Sequence, residues 1–261
     1  MTGRWLRPDR PLVIAHRGHA VGCPENTIAA YRRAIELGAE MIEADVRRTA
    51  DDALVLLHDA TLARTTDGRG PVGCSTLAEV RRLDAGSWFG AAFAGETVPT
   101  LDELLDLAEA ERITLCLEAK GESTGEATAV AVEIARRVVR RRATDRVVLS
   151  SFDHAALASA RRLVPELALA PDRLPERGPL AAREAVGQAS RIGAEVLQVH
   201  HAELSDELVA VARAAGIALW AWPTTLPAEI ERAQALGVDG LMGDDVEAIC
   251  RAVGADRPPG G

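Results

Sequence analysis

The chain lacks any apolar run approaching the roughly 20 residues that span a bilayer, so no transmembrane segment is expected. Its first eleven residues carry Arg4, Arg7, Asp9 and Arg10 and no apolar core, so no secretory signal is expected either. Cysteine is sparse. Cys23, Cys74, Cys116 and Cys250 form no CxxC pair, which argues for structural thiols in a reduced, cytoplasmic setting. Histidine–thiolate zinc spacing is absent. So is a GxGxxG turn after the first apolar strand, which counts against a doubly wound dinucleotide-binding sheet. Positive charge is in deficit. The formal net charge of -9 speaks against a general nucleic-acid binder, which would carry a basic face. An anionic small-molecule substrate stays open, because a few local cations can dominate a cleft.

What is present is a rhythm. The 261 residues, 48% hydrophobic and 26% charged, suit one large domain. Short apolar runs fall near residues 13, 42, 114, 148, 168, 197, 218 and 241, separated by helical patterns. Eight βα units in about 250 residues predict an α/β fold, a (β/α)8 TIM barrel formed by residues 1–261 as a single domain. The rhythm breaks once. Leu54–Leu57 reads as a strand, yet too few residues separate it from Met41–Val46 for a parallel crossover. A hairpin at Asp51-Asp52 is expected, opening an excursion and cap over about residues 47–99. The Pro/Gly-rich tail, 254–261, is expected to fray.

Barrel chemistry sits at the carboxyl ends of strands. Val13-Ile14-Ala15 ends in His16-Arg17. Arginine's planar fork suits an anionic oxygen, and histidine moves protons near neutral pH. Glu43 and Asp45 are two apart on a strand and so share a face, where like charges need a cation or a proton between them. Glu118 ends the next barrel strand. Three carboxylates from two strands suit one hard divalent cation, Mg²⁺ or Ca²⁺. An inward polar layer satisfied by Arg or Lys is the competing reading. Lys120 shares the face of Glu118, either reaching the same ligand or simply pairing with it. His58-Asp59 ends the excursion strand, and His58 with His16 makes a candidate acid–base couple for phosphodiester cleavage. Trp220 and Trp222 share one face of the penultimate strand. Trp220 is assigned to the wall of a substrate pocket, with core packing as its alternative. His154, His200 and His201 are read as structural or surface residues. Pro24-Glu25-Asn26-Thr27 is read as the opening of the first helix, with Glu25 favoured by its dipole.

These motifs together resemble the glycerophosphodiester phosphodiesterase family, of the bacterial, cytosolic type. The resemblance covers His16-Arg17-Gly18, Pro24-Glu25-Asn26-Thr27, Glu43-Ala44-Asp45-Val46, His58-Asp59 and Arg64-Thr65-Thr66-Asp67-Gly68. It continues through Leu83–Phe89, Pro99–Glu103, Glu118-Ala119-Lys120, Ser151–His154 and Leu236–Gly240, spanning about residues 11–252. It implies a barrel with a small insertion after the second strand. It implies metal-dependent hydrolysis of glycerophosphodiesters to an alcohol and sn-glycerol 3-phosphate, within glycerol and lipid metabolism. By resemblance His16 and His58 are general acid and base, Glu43, Asp45 and Glu118 hold the metal, and Arg17 and Lys120 bind phosphate. Related phosphodiesterases pass through a cyclic phosphate made by a neighbouring substrate hydroxyl, and the same route is implied here. One tract departs. Where the family has Trp-Thr-Val-Asn, this chain has Trp220-Ala221-Trp222-Pro223, losing a side-chain amide and adding bulk. A lysophospholipase D, with an apolar groove supplied by Trp88, Phe89 and Phe93, or another phosphodiesterase is the alternative on the same scaffold. A non-catalytic phosphodiester-binding barrel is the alternative of another class.

Overall fold

A computed structural model describes residues 4–7, 9–173 and 181–255. Eight parallel strands form a nearly closed barrel: β1 (Leu12–Ala15), β2 (Met41–Arg48), β4 (Thr114–Ala119), β5 (Val147–Ser151), β6 (Ala168–Pro171), β7 (Val196–His200), β8 (Ala218–Trp222) and β9 (Gly240–Gly243). Their order is β6-β5-β4-β2-β1-β9-β8-β7, and the two ends meet through a parallel bridge between Asp172 and Gln198. That closure excludes the open doubly wound sheet. Both faces of these strands are covered, which is why they read as continuous apolar runs instead of alternating ones.

Strand parity divides the molecule into two layers. Val13, Ile42, Leu115, Leu149 and Leu197 face outward and pack against the helical ring. Ile14, Met41, Cys116, Val148, Val196 and Trp220 face inward and fill the barrel. Trp5 plugs its amino-terminal end, edge-on to Trp220 with ring centroids 5.8 Å apart. Advancing two residues along each inward row reaches His16, Glu43 then Asp45, Glu118, Ser150, Gln198 and Trp222. The barrel interior therefore turns from apolar to polar toward the carboxyl ends of its strands.

The excursion is present as expected. β3 (Leu54–Leu56) runs antiparallel to the end of β2, with Val46 opposite Leu56 and Arg48 opposite Leu54. Asp52 takes a left-handed φ of 62° in the turn. The cap that follows has its own small core of Val55, Leu57, Leu62, Val72, Val80, Ala85 and Val98. Within it, helix α2 (Leu77–Val80) is opened by a reciprocal Thr76–Glu79 capping box.

Among the other helices, α1 (Ile28–Leu37) begins at Ile28 and not at Glu25. Asn26 has φ 55°, which is incompatible with a right-handed helix, and Thr27 is the N-cap, accepting from Ala30 N–H. The final helix, Val246–Ala252, was not anticipated. Its signal is Asp245, which caps it by accepting from Ala248 N–H. A helix over Ala182–Arg191 leads into β7. All of the Pro/Gly-rich tail beyond Ala255 lies outside the described residues.

Candidate active site

Glu43, Asp45 and Glu118 converge, with one carboxylate oxygen from each lying within 4.8 Å of the others. Parallel pairing sets Asp45 directly opposite Glu118, and parity sets Glu43 one step below. Each carboxylate is held. Arg17 N–H donates to Glu43 Oε2 at 3.0 Å. Asn26 Nδ2 donates to Asp45 Oδ2 at 2.8 Å. Lys120 Nζ lies 2.7 Å from Glu118 Oε1 and 3.0 Å from Asp45 Oδ1, and Arg17 Nε lies 3.0 Å from Asp45 Oδ2.

Three buried acids outnumber the cations set against them, because Arg17 is shared with Glu25. Burial, with Asp45 and Glu118 nearby, pushes the Glu43 carboxyl well above the usual range. Burial also raises Glu118, against the pull of Lys120. For Asp45 burial acts in the same direction, but Lys120, Arg17 and both histidines outweigh it and hold the carboxyl down. Glu43 Oε1 is buried and has no hydrogen-bond donor among the described residues. A buried carboxylate oxygen without a donor is costly, and it faces two further oxygen ligands. This donor set fits a hard divalent cation.

Two imidazoles flank the trio. His16 Nδ1 lies 2.6 Å from Asp244 Oδ1, and His58 Nδ1 lies 2.8 Å from Asp59 Oδ1. A carboxylate can only accept, so each Nδ1 carries the proton and each Nε2 is the free nitrogen. Burial lowers the pKa of His58, with Lys120 and Arg17 adding to the effect and Asp45 opposing it. A cavity of about 130 Å³ is lined by both histidines, Arg17, Glu43, Glu118, Lys120, Ser150, Phe152, Gln198 and Trp222. A larger cavity of about 800 Å³ adjoins it across Glu118, Lys120 and Phe152.

All eight residues assigned to the site fall in this region except Trp220. Trp220 is fully buried in the barrel interior between Trp5 and the strand ends, and it does not line the cavity over the histidines. Trp222, one parity step nearer the rim, lines it instead, edge-on to Phe152 at 5.7 Å and to His200 at 5.4 Å. The correction is one of depth along a strand, which parity alone does not give. His200 packs on Trp222, and His154 lines the larger cavity. Glu25 does not serve the helix dipole. It accepts from Arg17 Nη1 at 3.1 Å and from Arg64 at 2.7 and 2.8 Å. Asp244, Ser150, Gln198 and Asp172 escaped the sequence reading. Asp244 carried the one available signal, an acid immediately beyond the last barrel strand.

Fold and site together define a (β/α)8 barrel enzyme with an acidic, imidazole-flanked pocket at the carboxyl ends of its strands. The sequence profile of the glycerophosphoryl diester phosphodiesterase family matches residues 16–248. A glycerophosphodiester phosphodiesterase of Caldanaerobacter subterraneus subsp. tengcongensis is 37% identical over 244 residues, covering 94% of this chain and 98% of that one. Among solved structures, an Oleispira antarctica phosphodiesterase in complex with its product sn-glycerol-3-phosphate superposes with a TM-score of 0.85 at 30% identity, covering 94% and 97% of the two chains. A glycerophosphodiester phosphodiesterase of Agrobacterium tumefaciens gives 0.79 at 26% identity, covering 92% and 99%. The chain belongs to the glycerophosphoryl diester phosphodiesterase family, whose members are phosphoric diester hydrolases. Membership removes the non-catalytic alternative. Among the described residues, no helix is long and apolar enough to cross a membrane.

Proposed function

We propose that this enzyme hydrolyses small glycerophosphodiesters to an alcohol and sn-glycerol 3-phosphate, using one divalent cation and two histidines. The observation carrying the reading is the convergence of Glu43, Asp45 and Glu118 between His16 and His58, each imidazole tied at Nδ1 to a carboxylate. The product bound to the Oleispira relative supports the same substrate class.

Glu43, Asp45 and Glu118 would hold Mg²⁺ or Ca²⁺, which when bound supplies Lewis-acid charge stabilisation to the phosphoryl oxygens. Lys120 donates to a non-bridging phosphoryl oxygen from the same wall. Arg17 keeps Nη2 for a second, since its Nη1 serves Glu25 and its Nε faces Asp45. One imidazole, neutral with its Nε2 bare, takes the proton from the attacking hydroxyl, and the other, protonated on both nitrogens, gives its Nε2 proton to the leaving alkoxide. With a neighbouring glycerol hydroxyl as nucleophile, the first product is a cyclic phosphate. Water then opens the ring with the two proton transfers reversed. Trp222 and Phe152 wall the side where the alcohol departs. Pro223 leaves no amide there, because it lacks an N–H and replaces a side-chain donor.

The lysolipid reading would need an apolar groove at the site. Trp88, Phe89 and Phe93 stack on one another, with centroids 5.6 and 5.5 Å apart, and none lines the cavity over the histidines. Small soluble diesters are therefore the favoured substrates. The purified enzyme should release glycerol 3-phosphate from glycerophosphocholine or glycerophosphoethanolamine, stop with chelator, and resume with Mg²⁺ or Ca²⁺. His16→Ala and His58→Ala should each lose about 10²–10⁴ in rate. Full activity in either variant would overturn the assigned roles.

A further inference from the structure

Arg64, in the cap, holds two carboxylates from different parts of the chain. Its Nε and Nη2 donate to Asp59 Oδ2 and Oδ1 at 2.8 and 2.9 Å. Its Nη1 and Nη2 donate to Glu25 Oε2 and Oε1 at 2.7 and 2.8 Å. Asp59 Oδ1 in turn faces His58 Nδ1 at 2.8 Å, and Glu25 Oε1 accepts from Arg17 at 3.1 Å. The result is an unbroken chain of alternating charge, His58–Asp59–Arg64–Glu25–Arg17. It joins the cap to the loop after β1, linking two residues that line the cavity, His58 and Arg17.

We propose that Arg64 is a positioning residue for His58, clamping Asp59 so that its Oδ1 fixes the imidazole ring, with Glu25 as the anchor on the opposite wall. The inference rests on the acid–base role given to His58 above. Asp59 is on a loop, and a carboxylate held only by one imidazole is free to rotate. The fork of Arg64 ties both of its oxygens at once, which an ammonium group cannot do in the same geometry. Stability is a poor explanation for this arrangement. The Arg64 side chain is 43% exposed, with Glu25 and Asp59 at 13% and 29%, so even as a bidentate network these ion pairs contribute only modestly to folding. The four hydrogen bonds buy orientation.

A double-mutant cycle on kcat tests the inference, with glycerophosphocholine and Mg²⁺ at saturation. Arg64→Ala should lower kcat roughly 10–100-fold, the cost of losing an outer partner that orients a site group, while its melting temperature stays close to that of the parent. Arg64→Lys should recover only part of that loss. In a His58→Ala background, adding Arg64→Ala should cost nothing further, because the group it orients is gone. Equal fold-losses in both backgrounds, or no loss in the parent, would overturn the inference and leave the role of His58 intact. Full activity of His58→Ala alone would overturn both. Arg64→Gln runs the same cycle should Arg64→Ala fold poorly.

Discussion

Replacing Asn26 with alanine should be among the most damaging single changes outside the apolar core. Asn26 is 2% exposed and ties the loop after β1 to the floor of the acidic trio. Its Nδ2 donates to Asp45 Oδ2 at 2.8 Å, and its Oδ1 accepts from Tyr31 O–H at 2.9 Å and from Asp45 N–H at 3.2 Å. Alanine removes all three bonds and strands two donors on residues with 0% exposure. Each stranded group costs about 1–3 kcal/mol, and the carboxylate loses a charge-assisted bond as well. The left-handed φ of 55° adds about 1 kcal/mol, since asparagine tolerates it and alanine does not. The sum is roughly 3–7 kcal/mol, a large part of the 5–15 kcal/mol typical of a folded domain. Tyr31→Phe is the control. It removes one donor and leaves Asn26 Oδ1 with its bond from Asp45 N–H, so about 1 kcal/mol is expected. Urea unfolding midpoints, measured in chelator so that no cation stabilises the folded state, give both values. If Asn26→Ala is no worse than Tyr31→Phe, the three-bond hub does not hold the site together.

The two tryptophans of β8 should separate cleanly. Trp220→Ala should cost about 3–5 kcal/mol of stability, because the ring is fully buried against Trp5, while Trp222→Ala should raise KM and leave the unfolding midpoint nearly unchanged. The reverse pattern would refute the assignment of depth. His19 offers a pH test away from the acidic trio. Burial lowers its pKa below the ordinary 6.5, with Arg33 adding to and Asp245 opposing the shift, and its Nδ1 has no hydrogen-bond partner among the described residues. As pH falls through 6.5 the unfolded chain therefore takes up a proton before the folded one does. Stability that is full above about pH 6.5 should drain away with further acidification, and His19→Gln should flatten that slope. A folded state that gains stability on acidification relative to His19→Gln would contradict the burial argument.

Strands were legible because their signal is local. A strand alternates every two residues whatever it packs against, so Glu43 with Asp45, Glu118 with Lys120, and Trp220 with Trp222 could each be placed on one face. The hairpin at Asp51-Asp52 was legible from connection length alone. The helix caps were partly so. Gly38 stops α1 in a left-handed conformation, but the helix opens later than Pro24-Glu25-Asn26-Thr27 suggests, because the φ of Asn26 is imposed by its bonds to Asp45 and Tyr31. Lys120 held an unread signal, since it is the only lysine among thirty basic residues.

The residue chemistry of the pocket, its eight-strand frame and its two histidines were determined by the sequence alone, through spacings of a few residues. Which groups touch was decided by barrel closure. His16 meets Asp244 across 228 positions, and Arg64 meets Glu25 across 39. Period-two patterning says which way a side chain points but carries no information about height in the barrel. Only the stagger of neighbouring strands sets Trp220 in the core and Trp222 at the rim, and only the folded cap brings Arg64 between Asp59 and Glu25.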